Sequence, residues 1–118
     1  TPIGSTTIPY ALVDALKDPD VHMRWMARES LAKINPNPSE TLPLLLEGLS
    51  DADRLVRSKA LQNLADLGPE AKTALPALIE RLRDEDDNVR MCAAWAIKRV
   101  DPQLAATLLE PEDYLPSR

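Results

Sequence analysis

The chain of 118 residues has no phenylalanine, one histidine, one cysteine and three isolated glycines, Gly4, Gly48 and Gly68. Each scarcity excludes a chemistry. A Ser–His–Asp or Cys–His arrangement would have to run through His22 alone, and paired-histidine metal sites cannot form. Cys92 by itself allows neither an internal disulfide nor a cysteine-based metal centre. Separated glycines make no phosphate-cradling loop. With only two Trp and two Tyr, the core must be built of Leu, Ala, Ile and Val. That composition suits close helix packing better than a β-sandwich. No apolar run approaches the ~20 residues of a membrane span, and no signal-peptide pattern is present. Positive charge is in deficit, 14 Lys and Arg against 19 Asp and Glu. The net charge of −5 supplies no field to draw in nucleic acid or an anionic membrane.

Against these absences stands a strong internal repeat. Asp18, Asp51 and Asp84 are 33 residues apart, and Arg24, Arg57 and Arg90 keep the same spacing. So do Ala27, Ala60 and Ala93, then Leu12, Leu45 and Leu78, then Leu16, Leu49 and Leu82, and finally Pro36, Pro69 and Pro102. Columns in strict register at such a period are the signature of a stacked repeat architecture. The expected units are 8–40, 41–73 and 74–106, with residues 1–7 a polar flexible leader and 107–118 a C-terminal half-repeat, cap or tail.

Each unit reads as two helices. The first is expected over about 8–17, 41–50 and 74–83, with Pro43 and Pro76 in its opening turn, where a missing N–H does no harm. The second is expected over about 19–34, 52–67 and 85–100, with Asp18, Asp51 and Asp84 as N-caps and acidic first turns. Gly68-Pro69 is its clearest stop. Val56, Ala60, Leu64 and Leu67 share one face at the 3.6-residue period. Met23, Ala27, Leu31 and Ile34 match them, as do Val89, Ala93, Ile97 and Val100. One such pair cannot bury its apolar stripe alone, so successive pairs must stack. The expected fold is all-α, an α–α superhelix of three helix pairs.

The pattern Asp51…Val56-Arg57…Ala60, repeated as Asp84…Val89-Arg90…Ala93 and with Met23-Arg24 in the first copy, resembles the HEAT-repeat family. The segment from Leu67-Gly68-Pro69 through Leu75-Pro76-Ala77-Leu78 is similar to its short bacterial, phycobilisome-lyase-like version. The resemblance implies a right-handed solenoid with first helices on the convex side and second helices on the concave side. It also implies that Asp18, Asp51, Asp84 and Arg24, Arg57, Arg90 form a hydrogen-bonded ladder between neighbouring repeats. Such a role suits the chemistry, because a guanidinium can bridge a fixed carboxylate bidentately.

The search for catalytic residues finds none. His22, next to a helix start, is expected on the solvated surface. Cys92, between Met91 and Ala93, is expected to be a partly buried, inert thiol. The run Asp84 to Asp87 lacks the alternating ligands and internal glycine of a calcium loop, and a helix N-terminus explains it better. No cofactor and no metal are expected.

The side of the second helix opposite the core carries His22, Trp25, Glu29 and Lys33 in the first copy. Leu55, Ser58, Gln62 and Asp66 follow in the second, and Asn88, Met91, Trp95 and Arg99 in the third. Trp, Met and Arg are enriched at interfaces. The expectation is a non-enzymatic scaffold that holds a protein or peptide on this concave face through Trp25, Glu29, Ser58, Gln62, Met91, Trp95 and Arg99. A second reading of Trp25 and Trp95 makes them packing residues at the ends of a cut array. The alternatives in function are an accessory domain or subunit of an enzyme, of the lyase-associated type, and a structural spacer in a larger protein. A chain that begins at Thr1 and opens with Ile8, Tyr10 and Leu12 is expected to be a piece of a longer array or to associate end to end. The cytoplasm is the expected compartment.

Overall fold

The computed structural model describes residues 14–34 and 37–109. The leader, most of the first expected helix and the tail from 110 onward lie outside the described residues. Among the described residues the α-helices with both ends described are, in order, α1 Val21–Ile34, α2 Pro38–Gly48, α3 Arg54–Leu67, α4 Leu75–Glu80, α5 Asp87–Val100 and α6 Pro102–Leu108. Short 3-10 segments, Gly68–Ala74 and Arg81–Arg83, flank α4. Among the described residues there is no strand. The long helices α1, α3 and α5 pack in succession, α1 on α3 and α3 on α5, while α2 packs on α1 and α3, and α4 on α5.

The second helices begin two residues later than their spacing suggests, because the capping residue is not the first aspartate of each turn. Asp53 accepts from the Leu55 N–H and caps α3, and Asp86 accepts from the Val89 N–H and caps α5. In the first copy Asp20 accepts from the His22 N–H. Asp18, Asp51 and Asp84, expected as N-caps, instead accept from the N–H two residues on, at Asp20, Asp53 and Asp86. Each fixes a short turn that presents the second aspartate to the helix. Pro43 also departs from expectation. The helix starts at Pro38, behind the Asn37 cap, so Pro43 lies inside α2 rather than in its first turn. Pro76 does sit in the first turn of α4.

Gly68 ends α3 with φ 62°, a left-handed backbone that a side chain would strain. The main core joins α2 through α6, with Leu45, Leu61, Leu64, Leu78, Val89 and Ile97 almost wholly removed from solvent. A smaller cluster holds Ala15, Leu16, Ala27 and Leu31. The first copy breaks the expected stripe: Met23 is 44% exposed and Ile34 52%, where Val56, Val89 and Val100 are at 0%. Ala15 and Leu16 pack on Ala27 and Leu31, while Met23 and Ile34 stay open.

Candidate binding groove

Two charged joints hold the long helices in register. Arg24, on α1, donates from Nε and Nη2 to the Asp51 carboxylate at 2.9 and 3.1 Å, and from Nη1 to the carbonyls of Asp18 and Pro19. Arg57, on α3, repeats the arrangement on Asp84 at 2.9 and 3.1 Å, with its Nη1 on the carbonyls of Asp51 and Ala52. Burial works against the Asp51 carboxylate. The Arg24 hydrogen bond and the Asp53 N–H nevertheless hold its pKa below the usual range. Arg90 donates to the Asp84 carbonyl and pairs with Asp87 on its own helix.

Two further arginines take part that no column marks. Arg28, buried on α1, donates to the Leu44 carbonyl at 3.0 Å. Its side chain passes Gly48 so closely that a Cβ there would stand 2.9 Å from Arg28 Cδ and 3.0 Å from Ala60 Cβ. In the next joint Arg81 donates to the Leu49 carbonyl and to Asp84, both at 3.3 Å. A second guanidinium thus reinforces each joint, contributed by the second helix of the first copy and then by the first helix of the third. The columns miss it because Arg28 aligns with Leu61 and Ala94, and Arg81 with Gly48.

The acidic run of the third copy is already engaged. Asp84 serves Arg57 and Arg81, Asp86 caps α5, and Asp87 pairs with Arg90. Among the described residues no group of His, Cys, Asp and Glu could hold a metal ion.

Of the seven residues expected on the concave face, three meet. Gln62 of α3 with Met91 and Trp95 of α5 line a groove of about 440 Å³, completed by Asp66 and Cys92. Its wall is mainly apolar, and Trp95 is 39% exposed. Arg99 lies beside it, its guanidinium carbon 5.4 Å from the Trp95 ring centroid. Burial pushes the Cys92 thiol pKa up, against a hydrogen bond with the Gln62 side chain that lowers it. The remaining three lie apart. Ser58 donates to the Leu55 carbonyl at 3.0 Å and lines a smaller depression with Arg54, Leu55, Asp86 and Asn88. Glu29 is half-buried on α1 and lines neither hollow.

Trp25 belongs to the joint between α1 and α3. Lys59 Nζ stands 4.6 Å from its ring centroid, and the exposed His22 ring lies 5.3 Å away. The Trp25 Nε1 is buried without a hydrogen-bond partner. Its surroundings are those of a packing residue covered by a neighbouring lysine.

Comparison with known families matches the HEAT-repeat model twice, over residues 3–65 and 42–111. The chain belongs to the HEAT-repeat family. HEAT repeats commonly serve as protein-interaction scaffolds, so the family directs attention to grooves between helix pairs rather than to catalytic clusters. Neither curated proteins nor solved structures yield a match. No described helix of this HEAT chain is long and apolar enough to cross a membrane.

Proposed function

We propose that this chain is a non-enzymatic binding module that holds a protein segment or peptide in the groove between α3 and α5. In this reading the units 8–40, 41–73 and 74–106 stack as a right-handed superhelix with the second helices on the concave side. The successive packing of α1, α3 and α5 supports it, as do two arginine–aspartate joints of identical form, each spanning 27 residues.

The observation that carries the functional part is Trp95. A large aromatic side chain that stays 39% exposed beside an apolar hollow of about 440 Å³ is the kind of anchor interfaces use. Gln62 supplies a polar group that can orient a ligand at the same place. The expected set narrows accordingly to Gln62, Met91, Trp95 and Arg99, while Trp25 serves the fold.

The test is selection of random peptides on the immobilised protein, followed by titration of the enriched peptides on Trp95→Ala. Loss of binding with an unchanged melting curve supports the groove. Equal binding by the variant, or turnover of a substrate by the isolated chain, overturns the proposal.

A further inference from the structure

The two joints between long helices carry the same register positions but fill them differently. In the first, the ammonium of Lys59 reaches from α3 over the indole of Trp25, at 4.6 Å. A cation thus stands on an aromatic ring between these two helices. In the second joint the position 33 residues after Lys59 is Cys92. Its side chain is too short to reach across, and the groove of about 440 Å³ opens there. The counterpart of Trp25 in this joint is Ser58, and the indole that lines the groove is that of Trp95, on the same helix as Cys92.

A carboxylate has also been placed where the other copies have a cation. Lys33, Asp66 and Arg99 form one column, and only Asp66 is acidic. Asp66 is the single charged residue lining the groove. It is exposed and has no ion-pair partner among the described residues. The groove therefore combines an apolar wall, an aromatic face and an unneutralised carboxylate, in a chain of net charge −5.

We infer that the groove takes a lysine or arginine side chain of a partner peptide. This rests on the groove reading above and adds the chemistry of the occupant. The alkyl stem lies along Met91 and Trp95, the way long basic side chains cover apolar surface, and the charged head meets Asp66. Arg99, over Trp95, repels a cation entering from its own side and so favours the approach past Asp66.

A random dodecamer phage library selected on the whole chain supplies the probes. Enriched peptides, and copies with norleucine in place of the basic residue, are titrated on wild type, Asp66→Asn, Trp95→Ala and Cys92→Lys, with melting curves for each variant. Enriched peptides should share a lysine or arginine. Asp66→Asn should weaken them by roughly five- to tenfold at low salt, and added salt should narrow the difference. The norleucine copies should bind wild type and Asp66→Asn alike, which isolates the charge pair. Cys92→Lys should close the groove from within and abolish binding. If Cys92→Lys does not fold, the Asp66 and norleucine comparison decides alone. Enriched peptides without a basic residue, or undiminished binding to Asp66→Asn, sink the cation assignment. The groove reading survives that result provided Trp95→Ala still abolishes binding. Undiminished binding to Trp95→Ala, or no enrichment at all, sinks both.

Discussion

Arg57 and Asp84 are 8% and 7% exposed and meet through two hydrogen bonds, so removing either charge strands the other in the joint. Asp84→Asn should cost about 3 kcal/mol, read as a lower urea midpoint. The pair Arg54–Asp86 makes the contrast. Arg54 is 75% exposed, and Arg54→Ala should change stability by less than about 1 kcal/mol; a larger loss would show that water screens this pair poorly. Gly48 carries a less obvious prediction. Alanine in place of a helical glycine ordinarily adds about 1 kcal/mol, but here the new methyl group would meet Arg28 Cδ and Ala60 Cβ. Arg28 is held by the Leu44 carbonyl and cannot retreat freely. Gly48→Ala should therefore be destabilising, and Gly48→Ala combined with Arg28→Ala should recover part of the loss.

The helices begin at residues with a double duty. Asp86 accepts from the Val89 N–H at the start of α5 and from Arg54 across the joint. Although burial opposes ionisation, these hydrogen bonds hold its carboxyl below the usual range, as others do for Asp51. The sign of the pH dependence follows from the linkage between protonation and folding. Both carboxylates are more acidic in the fold than in the open chain, so their contribution is complete above the ordinary carboxylate pKa of ~3.9. It is lost as pH falls through their lower folded values. Melting temperature should hold steady from neutrality to about pH 5 and drop below about pH 4. In the double variant Asp51→Asn, Asp86→Asn that drop should be shallower, from a lower starting point. A drop of unchanged depth would assign the acid sensitivity to other groups.

On the proposed reading the two tryptophans divide the work between cohesion and recognition. Trp25 is half-buried at the joint of α1 and α3, under Lys59, so Trp25→Ala should cost about 2 kcal/mol. Trp95 borders an open groove, and Trp95→Ala should stay within about 0.5 kcal/mol of the parent. Thermal melts of the two variants separate these roles without any ligand. Equal losses for both would mean that Trp95 also packs. The joints make a further whole-molecule point. Arginine–aspartate pairs of one form join helices whose apolar faces are rich in alanine and leucine.

Much of the fold was legible from the repeat alone. A 33-residue period with alanine, leucine and proline columns specifies paired helices, because each stripe must be buried and the proline column marks where helices end or begin. The arginine and aspartate columns stood in the sequence as well, with a ladder implied by the family resemblance, and the packed chain links Arg24 to Asp51 and Arg57 to Asp84 while Arg90 pairs with Asp87 on its own helix. Three things were decided only by the packed chain. The caps moved to Asp53 and Asp86 because the first aspartate of each turn accepts from the N–H two residues on and so closes the turn before the helix. Arg28 and Arg81 entered the joints through contacts that exist only when different copies meet. The groove gathered Gln62, Asp66, Met91, Cys92 and Trp95 but left out Glu29 and Ser58. Helical periodicity reports the direction in which a side chain leaves its own helix, and the neighbouring helix determines whether that side chain meets a lysine or an opening.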